Sequence, residues 1–175
     1  MRTLKLAILT FILAVGFGDS AHADPVWAAR VGGTCVPDSA TIRAGQYETA
    51  GFGVRFAHGV GTIRLLCPFG LDGWDATIGG MQLSVIDQDG EGSLGRIPAS
   101  LRRAVKGTNV WIEIGNCDSN TSNKTTPQMI SCPIDGHKTN GDEWYWWDVL
   151  IERTTERVNV KFLGVSLLYE TGPPP

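Results

Sequence analysis

Catalytic motifs are scarce in this 175-residue sequence. Beyond the first 23 residues only His58 and His137 remain, each beside a glycine, and neither a Gly-x-Ser-x-Gly nor a His-Glu-x-x-His motif occurs. No Cys-x2-Cys pair is present either, which argues against a four-cysteine zinc site. These absences favour a protein that binds over one that catalyses.

Long apolar runs are absent except at the N-terminus. There, Arg2 and Lys5 precede the apolar segment Leu6 to Phe17, and Ala21-His22-Ala23 follows. This order is typical of a signal peptide spanning residues 1–23, with cleavage after Ala23. As a helix the apolar segment would cover about 18 Å of a hydrocarbon core about 30 Å thick. We therefore predict a periplasmic or secreted protein without a membrane span.

Positive charge is not in excess. Residues 24–175 carry 15 − 2 = 13 Lys and Arg against 18 − 1 = 17 Asp and Glu, a formal charge of −4. This balance opposes nucleic-acid binding, which needs clustered basic residues. The one basic cluster, Arg96, Arg102-Arg103 and Lys106, is interpreted as a solvated sheet edge, because charge is a common protection for an edge strand.

The four cysteines form an even set, which in an exported chain predicts two disulfides. Three pairings are possible. A polar, turn-rich segment separates Cys117 from Cys132 and is interpreted as a loop that a bridge closes, so we favour Cys117–Cys132. This choice leaves Cys35–Cys67 as the second pair.

Short alternating apolar runs separated by Gly-rich turns predict an all-β fold. The candidate strands are Thr41 to Glu48, Phe52 to Phe56, Thr62 to Cys67, Gly80 to Ile86, Pro98 to Val105, Thr108 to Ile114, Trp144 to Glu152 and Val158 to Tyr169. About eight strands in 152 residues predict one antiparallel β-sandwich or jelly roll, stapled by disulfides, over residues 24–171. The Pro-rich tail 172–175 is expected to be disordered.

Aromatic residues are concentrated in the segment from Asp142 to Glu152. On a strand, side chains alternate between faces, so Tyr145 and Trp147 should point to the core. Trp144, Trp146 and Asp148 then share the other face, as two indoles about 7 Å apart beside a carboxylate. Such a surface suits stacking on sugar rings, so these three are the candidate ligand-binding residues. The alternative is that the tryptophans pack beneath a covering loop.

Carboxylates alternate in a short segment that holds Asp87, Asp89 and Glu91, with Gly90 at the bend. Oxygen ligands at this spacing suit Ca²⁺, whereas Asp-Gly is also common in hairpin turns that bind no metal. Three carboxylates on one turn supply few ligands. The sequence thus favours a turn and no cofactor, with calcium as the alternative.

Four segments resemble a group of small exported bacterial proteins of uncharacterised function: Thr34 to Asp38, Tyr47 to Phe56, Gly61 to Pro68 and Phe162 to Ser166. The resemblance implies the β fold and the exported compartment. It implies no activity, ligand or site.

Three functional hypotheses follow from these patterns. The first is a non-catalytic binding module, with carbohydrate as the favoured ligand. The second is a structural envelope or assembly protein that contacts another envelope or secreted protein through sheet edges or the loop 118–131. The third is a carbohydrate-active hydrolase using Asp142, Asp148 or Glu152, which needs two carboxylates about 5–9.5 Å apart across a cleft.

Overall fold

The computed structural model describes residues 26–70 and 76–171, and for residues 26, 27 and 171 only the backbone. The predicted signal peptide and the tail 172–175 lie outside this part of the chain. So does the pair Asp72-Gly73, a sequence that predicts a turn. In the described residues, no helix has the length and apolar character needed to cross a bilayer.

Two antiparallel sheets of six strands each form the fold. Sheet A contains β1 (Val26–Val31), β3 (Tyr47–Ala50), β4 (Gly53–Phe56), β6 (Ala76–Asp87), β10 (Gln128–Lys138) and β12 (Val160–Thr171). Sheet B contains β2 (Val36–Pro37), β5 (Gly61–Phe69), β7 (Gly95–Arg96), β8 (Pro98–Val105), β9 (Trp111–Asp118) and β11 (Glu143–Arg153). One helix, α1, spans Ser39–Ala44.

The strand order is that of a jelly roll. Sheet A has the order β10-β6-β12-β4, with β3 beyond β4, and sheet B has β5-β11-β8-β9, with β2 beyond β5. Among these eight central strands, the chain crosses between sheets at each connection except the β8–β9 hairpin, which gives two interleaved Greek keys. The predicted β-sandwich or jelly roll is confirmed.

The core lies between the two sheets. Every second side chain of a strand points into it, because successive side chains lie on opposite faces of a sheet. On β11, the inward set Tyr145, Trp147, Val149 and Ile151 is buried, as predicted, and Trp147 is fully enclosed. β12 contributes Phe162 and alternating residues from the opposite sheet. The alternation on β11 places its even-numbered side chains on the outer face of sheet B.

Seven of the eight predicted strands coincide with observed ones, whereas the prediction of a strand from Thr41 to Glu48 is wrong. The helix α1 occupies the first part of that segment, and β3 begins only at Tyr47. Asp38 caps the helix by accepting a hydrogen bond from the backbone N–H of Thr41 at 2.7 Å. Gly45 ends it with φ of 61°, a conformation that glycine adopts without strain.

Four strands were not predicted: the two-residue strands β2 and β7, and the longer strands β1 and β10. β1 precedes the first predicted strand, and β10 includes residues 128–131 of the segment expected to be a loop. β10 lies at an edge of sheet A and buries only Ile130 and Ile134. Most of its residues are polar or exposed, so its sequence lacks the alternation of apolar and polar residues that identifies a strand.

Both predicted disulfides are confirmed. Cys117–Cys132 joins β9 of sheet B to β10 of sheet A, so this bridge ties the two layers together. Cys35–Cys67 anchors the crossover between β1 and β2 to β5. Disulfides persist in oxidising compartments, which is consistent with an extracytoplasmic protein.

Candidate functional site

Tryptophans are exposed on the outer face of sheet B. Trp144 is 59% exposed and Trp146 is half-buried, and both alternate with core residues along β11. β11 is an interior strand, paired with β5 on one side and β8 on the other. Trp146 is therefore paired on both sides, opposite Pro68 and Arg102, whereas Trp144 is paired with β8 alone.

A third tryptophan lies on the same face. In the strand register Trp144 is opposite Ala104 of β8, and Ala104 is opposite Trp111 of β9. Strands are about 4.8 Å apart, so the backbones of Trp144 and Trp111 are separated by about 10 Å, with only a methyl group between them. Trp111 is 54% exposed. The outer face thus presents three indoles, two on β11 and one on β9.

Two arginines converge on Asp148, which is only 5% exposed. Arg64 of β5 donates to Asp148 from Nε to Oδ1 at 2.7 Å and from Nη2 to Oδ2 at 2.6 Å. Arg102 of β8 approaches Asp148 Oδ2 through Nη1 at 2.8 Å. These hydrogen bonds raise the pKa of the Arg64 guanidinium. Asp148 therefore holds both cations in place, and its role as a direct ligand contact stays a prediction.

The guanidinium of Arg102 also stacks on Trp111, 4.4 Å from the ring centroid. The interpretation of the basic cluster as a sheet edge is wrong for Arg102 and Arg103, because β8 pairs with β11 and β9 on its two sides. Arg96 lies on the short strand β7, which pairs with β11 alone. Arg96 pairs with Asp118, Arg103 pairs with Glu143, and Lys106 donates to the Gly141 carbonyl. Each side chain of the basic cluster therefore has a partner within the protein.

A cleft of about 490 Å³ borders the tryptophans where β11 begins. Its lining consists of Arg30, Pro68, Phe69, Gly70, Trp144, Tyr145 and Trp146. The Arg30 guanidinium lies over the Phe69 ring, 5.3 Å from its centroid, and Arg30 Nε donates to the Pro68 carbonyl at 3.4 Å. The cleft therefore brings Trp144 and Trp146 together with one cation from sheet A.

A buried polar cluster supports the same end of the sandwich. Tyr145 Oη donates to Glu143 Oε2 at 2.6 Å and lies 3.1 Å from His137 Nε2, while Arg103 pairs with Glu143. Burial, followed by the hydrogen bond to Glu143, raises the pKa of Tyr145 to about 12. Burial, with a smaller contribution from Arg103, lowers the pKa of His137. The hydroxyl of Tyr145 donates its single proton to Glu143, so it can only accept from His137. We therefore infer that the neutral His137 carries its proton on Nε2 and donates it to the tyrosine oxygen.

The depressed pKa of His137 predicts a pH dependence of stability. Between its folded and unfolded pKa values the unfolded chain binds more protons, so the free energy of unfolding rises with pH. The contribution of His137 is complete above its unfolded pKa of about 6.5 and is lost as pH falls toward the folded value. Urea titrations from pH 7.5 to 5 should show a smaller slope in His137→Gln. His58→Gln, at an exposed loop position, serves as the control, and equal slopes in all three proteins would refute the assignment.

Replacing Asp148 with asparagine should destabilise the domain by about 1–3 kcal/mol, because two guanidinium groups lose their counter-charge. This loss in the free energy of unfolding is smaller than for a fully buried ion pair, because the Arg64 and Arg102 side chains are 42% and 20% exposed. Thermal melts should show a decrease of roughly 2–12 °C. Glu48→Gln, which breaks the exposed Arg55–Glu48 pair, is the control and should change stability by under about 1 kcal/mol. Equal shifts in the two variants would contradict this role of Asp148.

The acidic segment 87–91 lies away from the tryptophans, in the turn after β6. Asp87 is fully buried, accepts from Ser119 Oγ at 2.5 Å, and accepts from the Asp89 backbone N–H at 3.1 Å. Asp89 Oδ2 accepts from the backbone N–H groups of Leu94 and Gly95 at 2.5 and 3.3 Å, while Glu91 is exposed. Within residues 26–70 and 76–171, no group of three or more His, Cys, Asp or Glu is arranged to hold a metal.

We expect calcium to leave the melting temperature unchanged, because the Asp87 and Asp89 oxygens already accept protein hydrogen bonds. A metal bound only by the folded state would stabilise it by RT ln(1 + [L]/Kd), about 2.7 kcal/mol at a hundredfold excess over Kd. Melts in millimolar calcium and in chelator measure this directly. A calcium-dependent rise that disappears in Asp89→Ala would establish the site instead.

Sequence reasoning identified Trp144, Trp146 and Asp148, and the structure brings all three to one face. It missed Arg30, Arg64 and Trp111, and it assigned Arg102 to an edge. These residues lie on four other strands, and only the strand register and the packing of the sheets bring them to β11. No local sequence signal marks them.

No protein-family model matches the sequence, and no curated protein matches it. Among solved structures, the chain is similar to a family two carbohydrate esterase from Cellvibrio japonicus, with 8% identity and a TM-score of 0.45 over 86% of this chain and 36% of that one. It is also similar to TmCBM61 in complex with β-1,4-galactotriose, with 14% identity and a TM-score of 0.38 over 82% and 88% of the two chains. A structure of CBM4 has 7% identity and a TM-score of 0.37 over 83% and 86%. The chain thus spans about a third of the length of the esterase.

Proposed function

We propose that this protein is an exported, non-catalytic carbohydrate-binding module whose glycan stacks on Trp144 and Trp146. The observation that carries the proposal is the exposed indole of Trp144 beside Trp146 on the outer face of sheet B, at the border of a cleft. A contiguous exposed apolar patch often marks an interaction site. A flat indole also matches the apolar face of a pyranose ring.

The polar groups on this face suit hydroxyl recognition. Arg64 and Arg102 are fixed by Asp148, and together they present N–H donors beside the indoles. Fixed donors lose little conformational entropy on binding. Because Asp148 is occupied by both arginines, it acts as an anchor in this proposal and not as a catalytic carboxylate.

Isothermal titration calorimetry and a glycan array test the proposal. The panel should contain neutral and acidic oligosaccharides of three or more sugar units, because the exposed aromatic surface extends over more than one ring. We expect saturable binding without release of reducing ends. Absence of binding throughout the array and in calorimetry at millimolar oligosaccharide would refute it.

A second candidate function, contact with another envelope or secreted protein, is favoured by the edge strand β9. This strand begins with exposed apolar residues, Trp111 and Ile112, and follows the exposed Val110. An exposed sheet edge can pair with a strand of another chain. Cross-linking in intact cells distinguishes the candidates, because a reproducible protein neighbour combined with no glycan affinity would favour this one.

A further inference from the structure

One cation at the cleft, Arg30, has no acidic partner among the described residues. Arg30 is exposed, and no carboxylate among the described residues lies within ion-pair distance of its guanidinium. By contrast, Arg64, Arg96, Arg102 and Arg103 all pair with Asp or Glu. In a chain with a formal charge of −3, an arginine that has no carboxylate partner in the described part of the chain and lies beside two tryptophans points to an anionic ligand.

The guanidinium of Arg30 is held in place while keeping donors free. It stacks on Phe69, and two long hydrogen bonds of 3.4 Å run from Nε to the Pro68 carbonyl and from Nη1 to the Ala29 carbonyl. Of its five N–H donors, three on Nη1 and Nη2 are not taken by described residues. Two parallel N–H groups at that end suit bidentate binding of a carboxylate.

The position of Arg30 relative to the indoles is set by the sheet register. Pro68, whose carbonyl accepts from Arg30, is opposite Trp146 on the neighbouring strand, so the contact is about one strand spacing from Trp146. On the other side of Trp146 lies Arg102, opposite Glu113 of β9. The formal charges of the residues around Trp146 sum to +1. These residues are Arg30, Arg64, Arg102, Asp148 and Glu113.

Resting on the proposed function, we propose that the site selects acidic glycans, with a uronate carboxylate bound by Arg30 while its pyranose ring stacks on Trp144 or Trp146. The carboxylate of a uronic acid projects from the edge of the ring. A ring stacked on an indole therefore directs it sideways, toward a cation at the margin of the platform. Binding involves no covalent step.

The test compares tetragalacturonate with its methyl ester, which keeps the rings and removes the charge. In 150 mM salt the wild-type protein should bind the acid about tenfold more tightly, equivalent to about 1.4 kcal/mol. Arg30→Gln should weaken binding of the acid about tenfold and leave binding of the ester unchanged. Arg43→Gln, an exposed change of equal charge on α1, is the matched control and should preserve the preference.

Each outcome bears on one statement. Equal affinity of wild type for acid and ester would overturn the inference and leave carbohydrate binding intact. Binding of neither, while another glycan of the array binds, would also overturn the inference alone, and no binding anywhere on the array would overturn both. Poly-L-glutamate provides carboxylates without sugar rings, and we expect it to bind at least tenfold more weakly than tetragalacturonate. Equal binding of poly-L-glutamate would show that charge alone is recognised and would overturn the uronate assignment. Thermal melts of each variant verify folding.

Discussion

Serine substitution of all four cysteines is expected to leave most of the protein unfolded at 37 °C. In the loop-entropy model, the Cys117–Cys132 bridge, with a separation of 15 residues, contributes about 3 kcal/mol. The Cys35–Cys67 bridge, with a separation of 32 residues, contributes somewhat less than 4 kcal/mol. The sum, about 7 kcal/mol, is comparable to the whole stability of a typical domain, about 5–15 kcal/mol.

Paired variants separate the two contributions. Cys35→Ser with Cys67→Ser and Cys117→Ser with Cys132→Ser should each lower the melting temperature by roughly 6–16 °C. Far-UV circular dichroism and melts, with and without reductant, measure the effect. The paired variants are controls for one another, because each retains the other bridge. Equal melting temperatures for the oxidised and reduced wild-type protein would contradict the stabilising role of the disulfides.

Replacing Trp144 or Trp146 with alanine should weaken glycan binding about 10- to 100-fold per substitution. Central aromatic anchors typically contribute about 2 kcal/mol or more to binding, and each 1.4 kcal/mol corresponds to a factor of ten. The exposed Trp144 should be replaceable with little change in stability, since most of its ring contacts solvent in the free protein. Calorimetry with the best oligosaccharide of the panel provides the affinities.

Phe52→Ala is the matched control for the tryptophan substitutions. Phe52 is an aromatic residue that is 78% exposed in the turn between β3 and β4 of sheet A. Its removal should leave affinity unchanged. If Phe52→Ala reduced binding as much as Trp144→Ala, the loss would reflect a general effect on the protein and not the platform.

Much of the fold could be predicted from alternation and turn chemistry. The period-2 pattern of β11 assigned Tyr145 and Trp147 to the core, and the polar segment between Cys117 and Cys132 identified that disulfide. The helix α1 was missed although Asp38 and Gly45 are ordinary cap residues, because its six residues also fit a strand pattern. Local signals for so short a helix are weak.

The candidate site was only partly predictable because it is assembled across strands. Alternation along β11 placed Trp144, Trp146 and Asp148 on one face without contacts from elsewhere. The burial of Asp148 depends on Arg64 and Arg102, which are 84 and 46 residues away in the sequence and reach it through strand pairing. Arg30 belongs to the other sheet, so its proximity to Pro68 follows from tertiary packing alone.

The central claim, that Trp144 and Trp146 form a glycan platform, is tested most directly by following tryptophan indole N–H resonances in ¹⁵N-labelled protein during titration with tetragalacturonate. Assignment uses single Trp→Phe variants. The account predicts that the Trp144 and Trp146 resonances shift and saturate at the affinity found by calorimetry, while that of the fully buried Trp147 stays unchanged. Shifts confined to residues outside the outer face of sheet B, or no shifts under conditions where calorimetry detects binding, would contradict it.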